Sequence, residues 1–365
     1  GEQILKLLPH AHLCFHLLLH ALGDFMSSFS FNFLTSDTPN NPVVNDAAPT
    51  EAVFDPIPVA AETKRPFVWT PDLFTKYFQK CTVNQRHHDW IALTRSQDPS
   101  DKSPRNLLAR VRERSKASQY HRGTDLVPGV YEGGDVVWEC SLDLCRYLCE
   151  HNVLVQGYVL ELGCGHGLPG CWVLRQAQLR HDNSTSVCFT DYNDFVLETT
   201  TSNITLNIMN RDEPEASDNS HENEKNAERL AHWLSQHAPL GSGDWNSLSK
   251  LLDTAASGER SAMPDGVPKD GLFDCILAAE TTYSTEAAVE TARFITKHLR
   301  KGSGIAYVAT KRYYFGIGGG SEAFREGLRL YSSSLLDVRV DVVQVYDNGA
   351  GNIRELFQVQ LLPSA

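Results

Sequence analysis

From residue 138 onward, apolar and polar positions fall into blocks whose period switches between that of a helix and that of a strand. Helical spacing runs over 138–151. Residues 158–162 (Tyr-Val-Leu-Glu-Leu) form a short apolar run that ends in a glycine-rich turn, with a helix predicted over 168–177. A second strand is predicted at 186–190 and a second helix at 195–209. A continuous apolar strand at 273–278, a helix at 286–299 and a strand at 304–310 come next. After the glycine-rich stretch 316–320 follow a helix at 322–330 and two closing strands, 336–346 and 355–362. Strands alternating with helices at this spacing predict βαβ units, hence an α/β fold with a mostly parallel sheet and helices on both faces. The closing pair has no helix between its members, which predicts an antiparallel C-terminal edge strand. Two inserts interrupt the pattern. Residues 211–228 are acidic and polar and are expected to be disordered, and 255–270 read as a Gly-, Pro- and Ser-rich loop.

Upstream the pattern fades. Residues 36–64, rich in Pro, Asn, Asp and Ala, keep no period and read as a disordered linker. Between 66 and 125 aromatic patches alternate with polar residues, which predicts a helical accessory region with an amphipathic helix at 72–81. Its tail, 105–122, concentrates Arg105, Arg110, Arg112, Arg114, Lys116 and Arg122. That run is either a solvated helix face or a basic patch for RNA or an acidic partner. Residues 4–22 are apolar but carry Lys6, Pro9 and four histidines, which suit neither a bilayer nor a signal peptide. With the first methionine at Met26, we expect residues 1–25 not to be native sequence, a processed targeting segment being the alternative. The division expected is therefore 1–65 irregular, 66–125 accessory and 126–365 one catalytic domain.

Composition changes this picture little. Length alone, 365 residues, suggests about two domains. A net charge of −12 argues against a protein whose main task is gripping nucleic-acid backbone. The nine cysteines are scattered without a Cys-x-x-Cys pair, so neither a zinc ribbon nor a disulfide framework is expected, and no metal site.

Chemistry concentrates around residues 159–170, VLELGCGHGLPG. Without side chains on Gly163, Gly165 and Gly167, a cofactor can lie against the backbone. The run also contains Gly165-x-Gly167-x-x-Gly170, which matches the dinucleotide fingerprint and by itself leaves a nicotinamide-dependent oxidoreductase open. Glu161, just before the glycines, suits a cationic amino group better than a pyrophosphate. Asp191, ending the second strand, is placed to accept hydrogen bonds from a ribose, which both cofactor types carry. Asp244 and Trp245, after Gly243, offer a carboxylate for an adenine amino group and an indole to stack on its ring, although Asp244 also reads as a helix N-cap.

Together, Leu162-Gly163-Cys164-Gly165-His166-Gly167, Asp191-Tyr192-Asn193 and Gly243-Asp244-Trp245 resemble the class I, seven-β-strand S-adenosylmethionine methyltransferases. Further motifs narrow the resemblance. Pro128-Gly129-Val130-Tyr131-Glu132-Gly133-Gly134 with Val137-Trp138-Glu139-Cys140-Ser141 is similar to the opening motif of the protein-histidine methyltransferases related to methyltransferase-like protein 18. Ala279-Glu280-Thr281-Thr282-Tyr283 and Lys311-x-x-Tyr314-Phe315-Gly316-Ile317-Gly318-Gly319-Gly320 are similar to later motifs of that family, as is Phe29-Ser30-Phe31-Asn32-Phe33 to its N-terminus. The resemblance covers about 126–362. It implies a Rossmann-like seven-stranded sheet and S-adenosylmethionine as cofactor. Val137, Trp138, Glu139, Cys140, Ser141, Glu161, Gly163, Gly165, Asp191, Tyr192, Asn193, Gly243, Asp244, Trp245 and Ala279 would surround the cofactor. Ala279 departs from the small polar residue of relatives, so a backbone contact there survives and a hydroxyl contact does not.

Glu280 and Tyr283, at the C-terminal end of the central strand, and Asn193 are the candidates for orienting an acceptor imidazole and handling its proton. Glu280 also reads as an acceptor for nearby backbone N–H groups, and Trp138 as core. The Pro-Pro motif expected for methylation of amide or exocyclic amino groups is absent after this strand. By resemblance the substrate is a histidine of a large-subunit ribosomal protein, methylated at the tele nitrogen by a monomer in the cytoplasm and nucleus, the nucleolus included. Methylation of lysine or of a small molecule stays open.

Overall fold

A computed structural model of the chain describes residues 65–80, 90–92, 108–110, 133–134, 136–208, 220–258, 263–332, 336–347, 349 and 352–363. In chain order the elements are β1 (Val68–Trp69), α1 (Leu73–Lys80), β2 (Trp90–Ala92), β3 (Leu108–Arg110), α2 (Glu139–Glu150), β4 (Tyr158–Leu162), α3 (Leu168–Leu179), β5 (Ser186–Asp191) and α4 (Val196–Ile208). These are followed by α5 (Ser220–His237), β6 (Leu240–Ser242), α6 (Trp245–Ala256), β7 (Cys275–Ala279), α7 (Thr285–His298), β8 (Ile305–Lys311), α8 (Ser321–Tyr331), β9 (Leu336–Tyr346) and β10 (Arg354–Pro363).

One eight-stranded sheet has the order β1-β6-β5-β4-β7-β8-β10-β9. The strands β6, β5, β4, β7 and β8 pair in parallel, and helical crossovers join those that follow one another in the chain. These strands are buried on both faces and so read as nearly continuous apolar runs. One face is covered by α2, α3 and α4 through residues such as Leu144, Val173 and Leu197. The other is covered by α6, α7 and α8 through Leu248, Phe294 and Phe324. The result is the three-layer α/β architecture that the periodicity predicts.

Three differences have physical causes. The antiparallel C-terminal strand β10 is not the edge: it lies between β8 and β9 and is antiparallel to both. β10 carries the buried Leu356, Phe357, Val359 and Leu361, whereas β9 carries charges, including the Arg339–Asp341 ion pair, that suit a solvent-facing edge. At the opposite edge the sheet gains an eighth strand. Val68 and Trp69 pair with Ser242 and Gly241, and a Cβ on Gly241 would lie 2.5 Å from the Phe67 ring, so only glycine admits that aromatic cover. Thus 66–125 is not simply helical: α1 matches the predicted amphipathic helix, but β1 and the small β2–β3 sheet are strands. Finally, part of the insert expected to be disordered is helical in α5, whose Ala231 and Leu234 join the core. The expectations for residues 1–25, 29–33, 36–64 and 128–132, and for the basic run 105–122 apart from β3, lie outside the described residues.

Candidate active site

The chain steps outward from β4 to β5 and β6, then returns to the other flank of β4 as β7. At such a switch point the loops leaving adjacent strands diverge and a crevice opens at their C-terminal ends. A cavity of about 570 Å³ lies there, walled by the ends of β4, β5 and β7, the glycine turn and the starts of α2, α6 and α7.

The floor is set by two carboxylates. Gly167 caps α3 without a side chain to offer, and Glu161 supplies the missing acceptor: its Oε2 takes the Gly170 N–H at 2.8 Å. A Cβ on Gly170 would lie 2.5 Å from that oxygen and 2.4 Å from the Phe189 ring, so glycine is what lets the carboxylate dock. Burial pushes the Glu161 carboxyl well above the ordinary carboxylate range, and the nearby Asp191 adds to the rise. Asp191 closes the turn from the other side, accepting Gly165 N–H at 2.9 Å and Asn193 N–H at 3.1 Å. Gly163 and Gly165 have φ of 65° and 51°, a left-handed conformation that favours glycine.

On the next wall Asp244 N-caps α6, taking Ser247 N–H at 2.7 Å on one oxygen and Arg65 N–H at 2.8 Å on the other. Its carboxylate therefore serves the backbone first, and the N-cap reading holds. Trp245 presents its ring to the cavity, 3.6 Å from where a Gly163 Cβ would stand. Trp138, at the N-cap of α2, also lines the cavity and donates its indole N–H to the Gly133 carbonyl at 2.8 Å.

Glu280 is the third feature. It follows β7 with φ of 59°, an uncommon conformation for a side chain of this size, and is 8% exposed. Its Oε2 accepts the Tyr314 hydroxyl, and Lys311 Nζ lies 3.5 Å from Oε1. Lys311 in turn faces Glu139 at 3.9 Å and the rings of Trp138 and Tyr314 at 5.5 and 5.7 Å. Glu139 also faces Arg354, which binds Asp143. A chain of alternating charges thus runs from the cavity through α2 to β10. Burial, reinforced by the Glu280 charge, pushes both the Tyr314 phenol and the Cys140 thiol well up.

Of the residues singled out in sequence, Val137, Trp138, Ser141, Glu161, Gly163, Gly165, Asp191, Tyr192, Asp244, Trp245, Ala279, Glu280 and Tyr283 line this cavity. Glu139, Cys140, Asn193 and Gly243 do not. Glu139 turns into the charge chain. Cys140, in the first turn of α2, is fully buried. Asn193 is 1% exposed behind Asp191, and Gly243 serves through its backbone, donating to the Asp191 carbonyl. Sequence reasoning gave no role to His166, Thr281, Glu286 or Glu290, which line the cavity, or to Lys311 and Tyr314, which hold Glu280. The last two had a signal, since both belong to the Lys-x-x-Tyr-Phe-Gly motif.

These features accompany similarity to known proteins. A family model described as lysine methyltransferase matches residues 129–222. The chain is 33% identical to the histidine protein methyltransferase 1 homolog of Dictyostelium discoideum over 240 residues, covering 65% of this chain and 60% of that protein. It is 33% identical to the Bos taurus homolog over 218 residues, covering 58% of this chain and 52% of that one. Histidine protein methyltransferase 1 of Schizosaccharomyces pombe matches at 31% identity, with 56% of this chain and 59% of that protein covered. The chain thus spans between half and three-fifths of the length of these relatives.

Proposed function

We propose that this chain is an S-adenosylmethionine-dependent protein-histidine N-methyltransferase acting on a histidine of a large-subunit ribosomal protein, at the tele nitrogen. The observation that carries the cofactor reading is the place of Glu161. Its carboxylate holds the first-turn amide of α3, where a dinucleotide pyrophosphate would have to sit, so the third glycine of the fingerprint serves a side chain. The cavity fits the cofactor in volume and chemistry. Glu161 would face the cationic amino group of the cofactor. A carboxylate has about four acceptor positions, so holding backbone N–H groups does not bar Asp191 from ribose hydroxyls. Trp245 offers a ring face to adenine. S-Adenosylmethionine, when bound, supplies a methyl group on a sulfonium centre.

What the protein adds is alignment, exclusion of water and control of one proton. A neutral imidazole is the dominant form near neutral pH, its unperturbed pKa being about 6.5, so no strong base is needed. Glu280 would accept the N–H of one ring nitrogen, which leaves the lone pair of the other free for methylation. Once the ring carries the methyl group, Glu280 would take up that N–H proton. Tyr283 borders the same space. Histidine as target is supported by the names of the relatives and by the absence of the Pro-Pro motif after β7. The basic run 105–122 would meet RNA in a ribosomal context, and the reading places the protein in cytoplasm and nucleus. The description of the matching family model favours lysine as a second reading.

Transfer of labelled methyl to proteins extracted from large ribosomal subunits, followed by residue mapping, tests the proposal. Label on histidine supports it, label on lysine alone establishes the second reading, and no transfer sinks both. Calorimetry tests the cofactor separately, because NADH binding without S-adenosylhomocysteine binding would remove the methyltransferase reading altogether.

A further inference from the structure

Between β8 and α8 the chain alternates sharply: Tyr314 is 7% exposed, while its neighbours Tyr313 and Phe315 are 59% and 72% exposed. The buried tyrosine reaches the Glu280 carboxylate. The two outward aromatics contribute little to the core, yet the backbone that carries them is firmly held. Gly320 N–H donates to the Thr282 carbonyl at 2.8 Å, the Thr285 hydroxyl donates to the Gly318 carbonyl at 3.0 Å, and Ser321 N–H donates to the Arg312 carbonyl at 3.2 Å. A Cβ on Gly319 would lie 2.2 Å from the Thr282 carbonyl oxygen, so the segment lies flush against the β7–α7 junction. Ile317, two residues beyond Phe315, lines the cavity itself. The lip is therefore continuous with the space beside Glu280.

We propose that Tyr313 and Phe315 form a docking lip for the polypeptide that carries the acceptor side chain, and that this segment is basic. The proposal rests on the protein-methyltransferase reading above and names what its substrate offers beyond the target residue. A small molecule would be enclosed by the cavity and never reach Phe315, whereas a polypeptide sending one side chain inward must cross Ile317 and its outward neighbours. Rigidly presented aromatics are the residues on which interfaces concentrate their energy. The sign of the partner follows from the lining. No Lys or Arg lines the cavity among the described residues. Of its carboxylates, Glu161 and Asp191 are left to the cofactor, Asp244 caps α6, Glu280 has Lys311 at 3.5 Å and Glu290 binds Arg293, so Glu286 at the start of α7 is the one that faces the partner. Glu280 is nine-tenths buried with one oxygen lacking a hydrogen bond inside the protein. A second copy of this acidic chain would bring like charge to that mouth.

The test uses the full chain, labelled S-adenosylmethionine and proteins extracted from large ribosomal subunits. Phe315→Ala is expected to raise KM for the acceptor about tenfold with kcat and S-adenosylhomocysteine affinity unchanged, and Tyr313→Ala to act in the same direction. Wild-type KM should rise with salt, less steeply in Glu286→Gln. Unchanged KM in Phe315→Ala, with wild type labelling histidine, overturns the lip and leaves the proposed function standing; a salt-independent KM overturns the basic character of the partner. In parallel, Phe315→p-benzoylphenylalanine is irradiated with the same protein fraction. Crosslinking to basic polypeptides supports the lip. If wild type labels no histidine, the functional reading fails and crosslinking alone decides: no adduct at position 315 overturns the lip.

Discussion

Glu161 holds a helix terminus with one oxygen while its other side borders the cavity, and burial raises its pKa. A cationic amino group beside it favours the ionised form, so ligand binding and loss of a proton are linked. The affinity for S-adenosylhomocysteine is therefore expected to rise with pH until Glu161 is ionised in the free protein. Calorimetry across pH should show this in wild type and lose it in Glu161→Gln; the same slope in both would assign the proton elsewhere. Glu280 is expected to separate from Glu161 in effect. Glu280→Gln should lower kcat by about 10²-fold or more with cofactor affinity nearly intact, as removal of a group acting on the acceptor does. A matching loss in both quantities would place Glu280 among the cofactor ligands. At this scale the sequence located most of the cavity, because strand ends and glycine turns announce themselves locally. It misplaced Glu139 and Cys140 because adjacent residues at a helix start point in different directions, and which one faces a cavity depends on what α2 packs against.

Among the elements, α3 depends on the absence of a side chain at Gly170. In Gly170→Ala the new methyl would meet Phe189 and the Glu161 carboxylate, so destabilisation of about 1–3 kcal/mol is expected in spite of alanine's better helix propensity. Denaturant unfolding checks this, and a neutral or stabilising result would show that the Glu161 contact is not held tightly. The long helices were legible from their period, and the strands β4, β5, β7 and β8 as apolar runs of five to seven residues. β6 and β1, three and two residues long, carry none and exist because β5 offers one partner and β6 the next. The helix α5 escaped notice for a related reason. Its first half is polar apart from Ala227, and Leu230, Ala231, Trp233 and Leu234 in its second half reveal the side that packs on the core.

For the molecule as a whole, acid sensitivity has an identifiable source in His298. It is 2% exposed at the end of α7, bonded to Ser249 and to the Gly271 carbonyl, and burial pushes its pKa down to about 4 from 6.5, with Lys297 adding to the fall. Between those values the unfolded chain binds the proton that the folded chain refuses, so stability rises with pH across that window and falls on acidification. The loss on moving from pH 7 to 4 is expected to be up to about 3 kcal/mol. Unfolding curves across that range should steepen in wild type relative to His298→Asn. An identical pH slope in the two would move the effect to other groups. Length suggested two domains, whereas among the described residues every strand but β2 and β3 belongs to one sheet, β1 from the accessory region included.

The place of β10 has a consequence for how the protein is made. It fills the slot between β8 and β9, and its Arg354 completes the charge chain with Asp143, a partner 211 positions earlier. While the chain emerges from the ribosome, the sheet stays split and Glu139 lacks one of its cations until this strand arrives. The charge chain is therefore completed last, and a nascent chain arrested before residue 354 would carry the glycine turn and both floor carboxylates with Asp143 and Glu139 still lacking Arg354.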